Sequence, residues 1–139
     1  MQKPIKKLLV PKAFVYKFLF ISWMMFVTFF SLFSFSDVDT STFNIPHLDK
    51  AIHFTFYSVM VIISFLAKTN GGVVKLASFK GVIYIMLFAI LYGIVIEVFQ
   101  HMATTDRHGD ILDALANSCG AIVGMFFIRT RFFTKPSLK

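Results

Sequence analysis

Four apolar runs, each near the length a bilayer demands, alternate with polar connectors along this 139-residue chain. A helix rises about 1.5 Å per residue, so roughly 20 mostly apolar residues cross the hydrocarbon core. Ala13 to Phe35 supplies the first run, interrupted only by Lys17 and small hydroxyls. Asp49 to Ala67 is the second, short and polar at its start. Gly81 to His101 is the third and Asp110 to Ile128 the fourth. The connectors carry turn chemistry. Ser36 to Pro46 is rich in Ser, Thr and Asp, and Asn70-Gly71-Gly72 reads as a turn. Arg107-His108-Gly109 leads into Asp110, a residue suited to cap a helix. The pattern predicts an all-α fold: one polytopic membrane domain over residues 1–139 with four transmembrane helices. The first run exceeds the roughly 7–15 residues of a signal-peptide core, so it is expected to remain as a helix.

Composition reinforces this. The chain is 57% hydrophobic and holds 19 phenylalanines, with a mean hydropathy of +0.74. A soluble domain this small has too much surface for its volume to hide such a load. Its solvent is therefore the lipid bilayer. A net charge of +7 would point to nucleic acid in a soluble protein, but its distribution points elsewhere. Lys3, Lys6, Lys7, Lys12 and Lys17 precede or open the first run; Lys68, Lys75 and Lys80 fill the second connector; Arg129, Arg131, Lys135 and Lys139 follow the fourth run. All seven acids (Asp37, Asp39, Asp49, Glu97, Asp106, Asp110 and Asp113) and all four histidines fall at the opposite ends of the runs. The positive-inside rule then places both termini in the cytoplasm and leaves no call for a nucleic-acid partner. Cys119, the lone cysteine, sits in an apolar run and is expected to be an inert buried thiol.

Alternating topology brings the start of the second helix, the end of the third and the start of the fourth to the outer face. Each is polar at helical spacing. Asp49, His53 and Tyr57 fall at i, i+4 and i+8; Gly93, Glu97 and His101 share a face with Gln100 beside them; Asp110, Asp113 and Asn117 form a face that continues as Gly120 and Gly124. The polar residues stop two turns in, which predicts an outward-open pocket roughly 10 Å deep. Ionisable groups within a membrane are costly and tend to face protein and pair. One reading is a site lined by His53, Glu97, Asp113 and Asn117, with Lys50 and Arg107 at its mouth. The other is structural, with pairs such as His53–Glu97 or Arg107–Asp113 fixing helix packing. A metal site would need His53, Glu97 and Asp113 to converge from three helices, and no metal motif or other cofactor signature is present. Gly120 and Gly124 form a small-xxx-small motif, expected to pack helices within one molecule.

Two segments carry a resemblance. Asp49-Lys50-Ala51-Ile52-His53-Phe54-Thr55-Phe56-Tyr57 resembles the D-K-x-x-H-F-x-x-Y signature of the VanZ-like family. Glu97-Val98-Phe99-Gln100, followed by Arg107 through Gly120, resembles that family's E-x-x-Q and R-x-G-D-x-x-D-x-x-A-N-x-x-G block. The likeness covers roughly residues 45–128 in order and spacing, while the first helix and the tails match only in character. It implies a bacterial, multi-pass protein of the cytoplasmic (inner) membrane, and its motif residues coincide with the pocket read from topology. The family's namesake is associated with low-level resistance to the glycopeptide teicoplanin.

Three function classes follow. The first is binding or modification of a lipid-linked, phosphate-containing cell-envelope component, by Asp49, Lys50, Tyr57, Gln100, Arg107, Asp110 and Asn117. Two helix N-termini and the basic residues favour an anion there, whereas the acids oppose one unless a cation or the bases offset them. The second is a hydrolase or transferase with His53 and Glu97 as acid and base and Asp113 beside them. Ser58 and Ser118 lie off the motif face, so covalent acyl chemistry is not expected. The third is a non-catalytic adaptor or stability factor in which the cluster only fixes helix packing.

Overall fold

The computed structural model describes residues 12–32, 47–73, 77–103 and 111–134. They form α1 (Lys12–Leu32), α2 (Leu48–Lys68), α3 (Phe79–Ala103) and α4 (Ile111–Ile128), the last running into a π-type turn at Arg129–Phe133. Among the described residues, four helices are long and apolar enough to cross a membrane. The start of α1 and both ends of α2, α3 and α4 fall within two residues of those the hydrophobic runs predict. The expected end of α1 at Phe35 and the Asp110 cap lie outside the described residues. α3 starts before Gly81 because Ser78 caps it, its hydroxyl accepting the Gly81 N–H at 3.1 Å.

α2 and α4 make the closest pair, and small residues explain why. A Cβ on Gly120 would fall on the backbone carbonyl of Phe54, and one on Gly124 would lie 2.7 Å from the Ser58 carbonyl. The two backbones thus meet directly, and the Ser58 hydroxyl donates to the Gly120 carbonyl at 2.8 Å. Lipid tails are as apolar as leucine, so close packing of this kind, rather than hydrophobic exclusion, drives helix association in a bilayer. The small-xxx-small motif packs helices within the chain, as its spacing predicts.

α1 is the peripheral helix. Only Val27 and Ser31 of it are buried. Trp23 donates its indole N–H to the Phe56 carbonyl of α2 at 3.1 Å, and the hydroxyls of Thr28 and Tyr92 join α1 to α3. Between its charged ends the surface of the bundle is largely apolar, with Phe14 61%, Leu91 62% and Ile111 78% exposed, as suits lipid contact. Cys119 belongs to that surface: it is exposed, not buried as its apolar neighbours led us to expect. An apolar run in a membrane helix marks lipid as readily as core; the inward face of α4 is instead Asn117, Gly120 and Gly124, as periodicity predicts, with Ala121 and Ile128 also buried.

The two ends of the bundle differ in chemistry. At one end Tyr16 packs over Gly71, Phe132 packs over Gly72, and Arg129 lies over the Phe79 ring. Asn70, Gly71 and Gly72 all have positive φ there, as the turn signal predicts. The opposite end gathers Asp49, His53, Glu97, Asp113 and Asn117.

Candidate functional site: a buried polar cluster beside a cleft

Helical spacing positions the cluster. His53 lies one turn into α2 from Asp49, Asn117 one turn into α4 from Asp113, and Glu97 one turn along α3 from Gly93. Gly93 leaves the space that lets α3 approach: a Cβ there would sit 3.0 Å from the Tyr57 ring and 3.1 Å from the Asn117 Cβ. His53, Glu97 and Asn117 are all buried. The Asn117 side-chain amide donates to Glu97 Oε1 at 3.2 Å, and its carbonyl oxygen lies 3.0 Å from His53 Nδ1. Glu97 Oε1 is also 3.5 Å from that nitrogen.

This network assigns a tautomer. With Glu97 ionised the carboxylate only accepts, so the Asn117 NH₂ faces Glu97 and its oxygen faces His53. Nδ1 then confronts two acceptors, which favours a proton there. In the neutral ring the lone pair is at Nε2, 4.0 Å from Asp113 Oδ2. That arrangement can accept or deliver a proton at Nε2 while Glu97 and Asn117 hold the ring in place.

Lys50 completes the polar rim. Its ammonium donates to Asp113 Oδ1 at 3.0 Å and to Asp49 Oδ2 at 2.7 Å. Beside it a cleft of about 320 Å³ opens between α1 and α2, lined by Phe26, Phe30 and Ser31 of α1 and by Asp49, His53 and Phe56 of α2. The buried Ser31 hydroxyl finds no partner among the described residues. A larger groove of about 630 Å³ between α1 and α3 is lined by Ile21, Met24, Met25 and Phe29 among others, and its polar groups are the Thr28 and Tyr92 hydroxyls, which bond each other. Size alone does not make it a site.

Of the residues the sequence singled out, Asp49, Lys50, His53, Glu97, Asp113 and Asn117 come together. Tyr57 is fully buried beneath them, its hydroxyl without a partner among the described residues. Gln100 reaches toward α1, donating to the Ser31 carbonyl at 2.8 Å. Arg107 and Asp110 lie outside the described residues, and with them the expected Arg107–Asp113 pair. Among described residues no group of three His, Cys, Asp or Glu could hold a metal ion. The α1 contribution of Phe26, Phe30 and Ser31 is absent from the sequence reading. The one available signal was the aromatic pair at i, i+4 followed by a serine.

Among known proteins, no curated protein matches the chain, and no solved structure does. A family profile matches residues 2–133, taking in α1 as well as the motif region. With that match over nearly its whole length, this four-helix, multi-pass membrane protein belongs to the VanZ/LLP1 family.

Proposed function

We propose that the chain binds a lipid-linked, phosphate-containing cell-envelope component at the outer face of the bacterial cytoplasmic membrane. The observation that carries this is the cleft between α1 and α2, which joins polar groups to a wall of aromatic rings. Its volume of about 320 Å³ lies at the lower end of the range for small-molecule sites. His53 and the Ser31 hydroxyl take the headgroup, with Lys50 at the rim beside Asp49, and Phe26, Phe30 and Phe56 take the lipid chain. Lys50 already bridges Asp49 and Asp113, which lessens the repulsion those acids would exert on a phosphate. The His53 Nε2 atom is the group placed to move a proton if the bound component is modified. The site lies outward because the opposite end carries the basic clusters.

A photoreactive polyprenyl phosphate tests the reading. It should crosslink to α1 and α2 at the cleft, and Lys50→Ala or Ser31→Val should lower the yield several-fold. Crosslinks confined to the groove near Met25 would overturn it. Raised teicoplanin tolerance in cells expressing the chain would connect this binding to the resistance associated with the family's namesake.

The adaptor reading has an observation of its own: the His53–Asn117–Glu97 network ties α2, α3 and α4 together. On that reading the cluster is wholly structural, and the crosslinking result separates the two.

A further inference from the structure

We propose a second binding site at the lysine-bearing end, where a cleft between α1, α2 and α3 takes an anionic membrane phospholipid. The cleft has a volume of about 380 Å³ and is lined by Lys17 and Phe20 of α1, Ser64 and Lys68 of α2, and Ile85 and Phe88 of α3. The headgroup phosphate sits between Lys17 and Lys68, and an acyl chain runs inward along Phe20, Ile85 and Phe88.

The charge balance calls for an anion from outside the chain. Both lysines are exposed, and neither has a carboxylate within ion-pair distance among the described residues. The three described acids, Asp49, Glu97 and Asp113, all lie at the other end of the bundle. The placement of Lys68 sharpens this. A Cβ on Gly81 would lie 2.9 Å from the Lys68 Nζ and 3.6 Å from its Cε, so the ammonium rests on the first turn of α3. That turn contains no acid, and it adds Lys80. A helix N-terminus carries about half a positive charge of its own. Cations and a helix dipole thus converge with no described counter-charge.

The walls decide which anion. Below the lysines the cleft is almost wholly apolar, and Phe88 lies nine residues along α3 from Phe79, about 13 Å into the hydrocarbon. A free phosphate would leave that depth unfilled, whereas a phospholipid fills it with the chain attached to its headgroup. Lys17, inside the first helix, reaches the interface by extending its stem along the apolar wall.

Native mass spectrometry of the full chain, released from nanodiscs of mixed phosphatidylglycerol and phosphatidylcholine, tests the site. The wild-type chain should retain one phosphatidylglycerol in preference to phosphatidylcholine. The Lys17→Ala/Lys68→Ala variant should retain roughly thirtyfold less, as expected for two basic residues near an anionic headgroup. Lys12→Ala/Arg131→Ala loses the same charge away from the cleft and should keep the lipid. Equal loss in the two variants would show general attraction to basic residues and overturn the site. Equal retention of phosphatidylcholine would show an apolar groove without headgroup recognition and would overturn it too. A Lys17→Arg/Lys68→Arg variant should restore retention, so that failure of the alanine variant to fold does not obscure the result.

Discussion

Asn117 engages protein at both ends of its side-chain amide, toward Glu97 and toward His53. Replacing it by Leu leaves the His53 Nδ1–H and the Glu97 carboxylate without their shared partner in a dry interior. Each hydrogen bond in such a bundle contributes about 0.6 kcal/mol, at most about 1.7. Asn117→Leu should therefore cost roughly 1–3 kcal/mol, read as a lower melting temperature in detergent, and should impair function alongside stability. Glu97→Gln differs, because its amide oxygen can still accept from Asn117 if the side chain turns that way. We expect its melting temperature to stay near wild type. A total loss of activity at normal expression would identify the carboxylate as a proton-transfer group, whereas retained activity would favour the adaptor. The types and spacings of His53, Glu97, Asp113 and Asn117 were legible from periodicity because helices repeat every 3.6 residues. Their hydrogen bonds were not, since three helices must first be placed against one another.

At the level of helices, two glycines make contrasting demands. A methyl group on Gly120 meets the Phe54 backbone, which cannot retreat without moving α2, whereas one on Gly93 meets the side chains of Tyr57 and Asn117. Overpacking typically costs about 1–3 kcal/mol and more where backbone must shift. Gly120→Ala should thus destabilise the bundle more than Gly93→Ala, and thermal unfolding of both in one detergent checks the order. The four helices themselves were readable from length and hydropathy, because a bilayer requires about 20 apolar residues per span. What α1 contributes to the cleft was hidden for the same reason. A phenylalanine facing lipid and one facing a ligand look alike in sequence, and only the crossing of α1 over α2 separates Phe26 and Phe30 from Phe14 and Phe18.

Across the whole molecule, the described acids lie at one end and most of the lysines and arginines at the other, a sorting that predicts the orientation in the membrane. Gly72 is a poor place for a label, since φ is +89° and a Cβ would lie 2.7 Å from the Phe132 ring. Val73, 46% exposed, serves better. In a Cys119→Ala background, cysteine at Val73 should resist an impermeant thiol reagent in intact cells. Cysteines at Ser41 and Thr105, in the other two connectors, should react. Labelling at Val73 alone would invert the topology and carry the cleft to the cytoplasmic face.

The buried network also has a history within each molecule's synthesis. His53 and its partner Asn117 are 64 residues apart, and ribosomes add roughly 5–20 residues per second. For roughly 3 to 13 seconds the polar face of α2 has been made while the helix that will satisfy it has not. Glu97 emerges in between and waits for the same amide. A chain halted after α3 would hold a histidine and a carboxylate in the bilayer without their common partner, at the cost that buried polar groups carry there. α4, translated after α2 and α3, is thus the helix that closes the polar core.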